Sequence, residues 1–177
     1  MQNIFILRHG HAQELTEVQS NNDFDRRLTE EGIDKVSKIS SFLNKMDESI
    51  ELILSSPFLR AKETAEIVAK TLLPKPDFKI VDFLACGSSS REIAKGLLTY
   101  NSLNNVLLVG HAPDLEAFLG KLILAERIKL KKAAMAKVTL LNGVELSGEL
   151  IWLVVPKVVK RLKLREDENI YQHKLGL

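Results

Sequence analysis

Four side chains suited to gripping or attacking a phosphoryl group stand where apolar runs of the sequence end. Arg8 and His9 follow Ile4-Phe5-Ile6-Leu7, in Arg8-His9-Gly10. Arg60 lies in Ser55-Ser56-Pro57-Phe58-Leu59-Arg60-Ala61, and His111 in Val109-Gly110-His111-Ala112-Pro113. Near neutral pH a histidine is partly uncharged, so one ring nitrogen can attack while a hydrogen bond holds the other and fixes the tautomer. That makes His9 a candidate nucleophile. Arginine donates two parallel bonds to a phosphate and keeps its charge, which suits Arg8, Arg60 and Arg26 to holding the group. Phosphoryl transfer asks a protein mainly for positioning and for stabilisation of charge spread over the equatorial oxygens. Each residue taken singly has an ordinary role as a solvated cap or a loop residue. Recurrence at three strand ends is what points to a phosphate pocket.

Such residues meet only if each closes a parallel strand, because an open α/β sheet binds ligands in the crevice outside the carboxyl ends of its strands. The chain alternates accordingly. Extended runs are expected at Asn3 to Arg8, Leu52 to Leu54, Lys79 to Leu84, Val106 to Val109, Ala136 to Leu141 and Leu150 to Val155. Residues 29 to 46 carry Ile33, Val36, Ile39, Ser40, Leu43 and Met46 at helical spacing, with Thr29 as N-cap. Ser56-Pro57 predicts an N-cap followed by proline at the first helical position, opening a helix to about Leu72 whose positive end would favour an anion beside Arg60. Further helices are expected over Ser89 to Leu98 and from Pro113 through Leu124. The last two runs would form a hairpin, with Asn142-Gly143 as the turn signal.

At 177 residues and 45% hydrophobic composition the chain reads as one domain with an ordinary core. Its boundaries are expected at 1–156, followed by a charged, solvated extension over 157–177. A net charge of +2 is too mild for a nucleic-acid protein. Lys129, Lys131 and Lys132 read as a solvated face. Cys86, the single cysteine, excludes an internal disulfide and reads as a small buried apolar group. Arg8 interrupts the first apolar run before a signal sequence is complete, and no segment reaches the length of a membrane span, so a soluble cytoplasmic protein is expected. His9 and His11 have a metal-ligand spacing, but no further Asp or His completes a set, so no metal is expected. Neither a P-loop nor a Gly-x-Ser-x-Gly elbow occurs.

These fragments, with Arg26-Arg27-Leu28-Thr29-Glu30-Glu31-Gly32, resemble the histidine phosphatase superfamily, and within it the small SixA-like phosphohistidine phosphatase branch. The resemblance implies a three-layer α/β/α sandwich with a mostly parallel sheet, like that of phosphoglycerate mutase. It implies a His9 that becomes transiently phosphorylated, with Arg8, Arg60 and His111 holding the phosphoryl group and Arg26 adding a contact, without metal or cofactor. His111 would act as an imidazolium donor. Larger relatives carry a glutamate general acid after the third strand, whereas residues 84–90 here contain no carboxylate. Asp25, Asp82 and Asp114 are stand-in candidates, each with an ordinary structural role as well. An imidazole leaves far more readily without an added proton than an alkoxide does, so the missing acid favours a P–N substrate. The expected function is removal of phosphoryl groups from phosphohistidine on a protein, such as a histidine phosphotransfer domain or a phosphocarrier. Alternatives are a broad phosphomonoesterase of small metabolites and a non-catalytic phosphate-binding module. His11, where the branch commonly has an acidic or small polar residue, could reach the pocket rim or cap the turn. Oligomeric state is left open.

Overall fold

The first apolar run forms β1 (Asn3–Arg8), a central strand buried on both faces. Alternation along it sends Phe5 and Leu7 into one core and Ile4 and Ile6 into another. The computed structural model describes residues 1–141 and 146–162. In chain order there follow α1 (Glu30–Lys45), β2 (Leu52–Ser55), α2 (Leu59–Thr71), β3 (Asp77–Ile80), α3 (Ser90–Leu97), β4 (Asn105–Gly110), α4 (Asp114–Leu122), β5 (Met135–Leu140), β6 (Gly148–Val154) and α5 (Pro156–Arg161). One six-stranded sheet runs β3-β2-β4-β1-β5-β6. The first four are mutually parallel, while β5 and β6 are antiparallel additions at one side.

Helices α1, α2 and α5 cover the Phe5 face, and α3 and α4 the Ile4 face, which gives the expected three-layer α/β/α sandwich. The connections from β1 and β2 therefore leave over one face, and those from β3 and β4 over the other. Adjacent β1 and β4 consequently part company at their carboxyl ends. That divergence is the topological switch point at which such sheets bind ligands.

Most elements fall where the sequence places them, and the departures have local causes. Helix α2 begins at Leu59, two residues beyond the expected start: Phe58 is extended, and the Ser56 hydroxyl, although it accepts the Phe58 N–H at 3.3 Å, is also engaged by His111. Strand β3 occupies Asp77–Ile80, and Asp82–Leu84, expected as strand, forms a 3-10 turn. An edge strand pairing only with β2 needs little apolar patterning, which explains the misplacement. In α1, Val36, Ile39, Ser40 and Leu43 are buried as expected, while Ile33 and Met46 face solvent. The expected solvated extension from residue 157 begins inside α5, whose Val159 is buried in the core shared with α1 and α2; Pro156, also buried, suits the first helical position. β5 and β6 pair as a hairpin. The expected Asn142-Gly143 turn and residues 163–177 of the extension lie outside the described residues. Among the described residues no helix is long and apolar enough to cross a membrane.

Candidate active site

Parallel pairing of Arg8 with Gly110 brings the residues just beyond β1 and β4 side by side. His9 N–H donates to the Gly110 carbonyl at 3.0 Å, and the rings of His9 and His111 lie 5.1 Å apart. Arg60 joins them from the first turn of α2, with its guanidinium 4.9 Å over the Phe58 ring. His9, Arg60 and His111 retain 8%, 4% and 2% of their exposure, which makes this a buried polar cluster inside an apolar frame. Arg8 completes it from β1 and is anchored by Nη1 donating to the Leu130 carbonyl at 2.8 Å. The four residues singled out from the sequence thus converge.

The protonation of the two histidines follows from their partners. His9 Nδ1 lies 2.7 Å from the Gly10 carbonyl oxygen, which can only accept, so Nδ1 carries the proton and the Nε2 lone pair is free. Burial is the largest cause lowering the His9 pKa to about 3; His111, Arg60 and Arg8 push the same way, and the Gly10 bond opposes them. His111 is also lowered to about 3, first by burial and then by Arg60. Both rings are therefore neutral at neutral pH in the free protein, and the imidazolium expected of His111 is not its resting form. Its Nε2 lies 2.7 Å from the Ser56 hydroxyl. Among the described residues, His111 Nδ1 and Arg8 Nε are the buried side-chain polar atoms without a hydrogen-bond partner. Buried polar groups are rarely left so in a finished structure.

Backbone ties hold the cluster in shape. The Thr64 hydroxyl accepts the Gly10 N–H at 3.1 Å and donates to the Arg60 carbonyl at 2.7 Å, locking the loop after β1 to α2. Ala133 N–H is shared between the Arg8 and His9 carbonyls at 3.1 Å each. His11 turns to the Thr29 hydroxyl that caps α1, at 3.1 Å, so it supports the turn and does not pair with His9. No group of three or more His, Cys, Asp or Glu side chains arranged for a metal occurs among the described residues.

The structure adds a residue that the sequence did not single out. Asp23, in a 3-10 turn at Asp23–Asp25, accepts Arg60 Nη2 on Oδ2 at 2.9 Å and Arg26 Nη1 on Oδ1 at 2.9 Å, while its carbonyl accepts Arg60 Nη1 at 2.7 Å. Burial pushes its carboxyl up, but the bonds from Arg26 and Arg60 outweigh that and hold it below its ordinary range. Arg26 also donates Nε to the Gln13 carbonyl at 2.5 Å. It reaches the cluster through Asp23. Of the stand-in acids, Asp25 accepts from the Ser20 hydroxyl and Asp114 from the Gly87 N–H, while Asp82 opens the 3-10 turn before α3. Cys86, expected to be buried, is exposed, with Sγ 3.2 Å from Arg60 Nη2. Partial burial pushes its thiol pKa up, against the neighbouring Arg60, which lowers it.

A sequence profile of the histidine phosphatase superfamily (branch 1) matches residues 4–85. The phosphohistidine phosphatase SixA of Escherichia coli K12 is 30% identical over 163 residues, spanning 90% of this chain and 98% of that protein. The chain belongs to the histidine phosphatase superfamily. The solved structure of the protein histidine phosphatase SixA complexed with tungstate superposes with a TM-score of 0.80 at 27% identity, covering 89% of this chain and 99% of SixA. A phosphoserine phosphatase of Entamoeba histolytica has a TM-score of 0.65 at 17% identity, over 86% of this chain and 96% of its own, and shares the fold. The resemblance to SixA is therefore one of whole chains, and the superfamily's phosphatase chemistry makes this an enzyme.

Proposed function

We propose that the protein removes phosphoryl groups from phosphohistidine displayed on a protein, through a covalent phospho-His9 intermediate. The observation that carries the reading is the neutral His9, its Nδ1–H held by Gly10 and its Nε2 free, beside two buried polar atoms without partners, Arg8 Nε and His111 Nδ1. Nε2 attacks phosphorus while the P–N bond to the substrate ring breaks and its electron pair returns to that ring. The Gly10 carbonyl keeps its bond to Nδ1–H as positive charge develops on the ring of His9. Arg8, Arg60 and His111 supply donors to the phosphoryl oxygens, and a bound dianion draws His111 toward its imidazolium form. Arg26 assists by holding Asp23 against Arg60. Water then attacks phospho-His9 and releases phosphate. No metal ligand set is required for these steps.

Two further observations support a P–N substrate on a protein. The carboxylate bonded to Arg60, Asp23, is held ionised and is unsuited to protonating an alkoxide. Its side chain and that of Phe24 lie open to solvent, so the phosphoryl group can be presented from a folded surface. The similarity to SixA, a phosphohistidine phosphatase, points the same way.

The test is intact-mass analysis of a phosphohistidine-bearing protein mixed with wild type or with His9→Ala under acid-free conditions. Turnover by the wild type alone supports both the nucleophile and the substrate class. If both proteins are inert while the wild type hydrolyses a small phosphate ester, the metabolite phosphatase reading replaces this one.

A further inference from the structure

In-line displacement puts the leaving group opposite the nucleophile. His9, Arg60 and His111 are buried, so the group departing from phosphorus must lie at the outer end of the site. A row of rings leads there. His9 and His111 are 5.1 Å apart, His111 and Phe58 meet edge-on at 5.1 Å, and Phe58 and Phe24 lie 4.9 Å apart. The row ends on Phe24, 41% exposed. Adjacent in sequence, Asp23 keeps 45% of its side chain exposed while bonded to Arg60 and Arg26. Each carboxylate oxygen has two acceptor sites, and each accepts one bond here, which leaves acceptor capacity at the mouth.

We infer that Asp23, Phe24 and Phe58 form a leaving-group subsite for a protonated imidazole, the ring lying against the aromatic side chains and its distal N–H donating to the Asp23 carboxylate. This rests on the proposed P–N substrate and names what selects it. With the distal nitrogen protonated, the P–N bond breaks by returning its electron pair to the proximal nitrogen, so a neutral imidazole leaves and no further proton is needed. The carboxylate stabilises the cationic phosphoimidazolium and repels the negative charge that a departing alkoxide or phenolate would carry. One loop thus favours phosphohistidine and disfavours phosphate esters. The same carboxylate fixes Arg60, so the two roles must be separated by experiment.

The probes are phosphoimidazole as substrate and tungstate as an inhibitor that fills the phosphoryl site without a leaving group. Asp23→Asn is expected to lower kcat/KM for phosphoimidazole by about 10- to 100-fold, the range for losing a hydrogen bond to a charged group, while the tungstate inhibition constant stays unchanged or falls. Phe24→Leu is expected to lower the same kcat/KM by several-fold, about that of an aromatic contact, again without weakening tungstate. If Asp23→Asn weakens tungstate as much as it slows turnover, Asp23 only orients Arg60 and the subsite is overturned. Full activity in both variants overturns it as well. Wild-type protein inert on phosphoimidazole and on phosphohistidine protein, yet active on phosphoserine, would instead sink the proposed substrate class and this inference with it.

Discussion

Gly10 decides the chemistry of His9 through its carbonyl oxygen. An acceptor 2.7 Å from Nδ1 leaves a single tautomer, and burial among Arg8, Arg60 and His111 keeps the ring from protonating. In the proposed reaction the attacking Nε2 is thereby available without a separate general base. Imidazole 15N spectra should show His9 as the neutral Nδ1–H form from pH 8 down to pH 5; the Nε2–H form, or titration near 6.5, would contradict this. Arg60 is equally specific, because its fork serves Asp23 twice, reaches Cys86 and lies over Phe58. A lysine ammonium offers a point charge without that planar geometry. Arg60→Lys should raise the tungstate inhibition constant about 10- to 100-fold, the loss of one or two charge-assisted bonds; an unchanged constant would place Arg60 outside the phosphoryl cradle. Arg8, His9, Arg60 and His111 were legible in the sequence because each follows an apolar run that could be recognised as a strand. Asp23 was not. Nothing local distinguishes it from Asp25, and its partner Arg60 is brought to it only by the packing of α2 against the Asp23–Asp25 turn.

Helix α1 sets how tightly the loop after β1 is held. Its first turn approaches so closely that a Cβ on Gly32 would lie 2.1 Å from the His11 carbonyl oxygen, a contact with backbone that cannot swing away. Gly32→Ala should therefore displace α1 from the loop despite alanine's better helix propensity. A loss of about 1–3 kcal/mol is expected for such overpacking, read as a lower urea midpoint at unchanged m, together with reduced turnover as His9 moves with its loop. A stabilised variant would mean that the helix shifts freely. Helix α1 was readable in the sequence from Thr29 to its buried stripe because both signals are local. The start of α2 was not, since Ser56 is diverted by His111, fifty-five residues away in sequence. β3 failed for a different reason: as an edge strand with an exposed pattern it carries almost no periodicity to read.

For the whole molecule, placing two neutral histidines at the meeting of β1 and β4 links folding to pH. Both have folded pKa values of about 3, against about 6.5 in an unfolded chain. Between those values the unfolded chain binds protons that the fold refuses, so stability is full above about pH 6.5 and falls as pH drops toward 3. By pH 5 each histidine should cost about 2 kcal/mol, or about 4 kcal/mol together, a substantial part of the roughly 5–15 kcal/mol that domains possess. The ionised Asp23 adds to the loss further down, because its folded pKa is also depressed. Urea unfolding at pH 7.5 and pH 5 measures the difference, and His111→Gln should remove about half of it by deleting one of the two protons taken up. Tungstate should restore stability, by about 2.7 kcal/mol at a hundredfold excess over its dissociation constant, and at one fixed concentration by more at pH 5 than at pH 7.5, since an anion beside His111 offsets the charge that burial penalises and so tightens binding there. Equal stability at the two pH values without tungstate would mean that the rings titrate in the fold as freely as in the unfolded chain, and the neutral nucleophile would have to be abandoned with them.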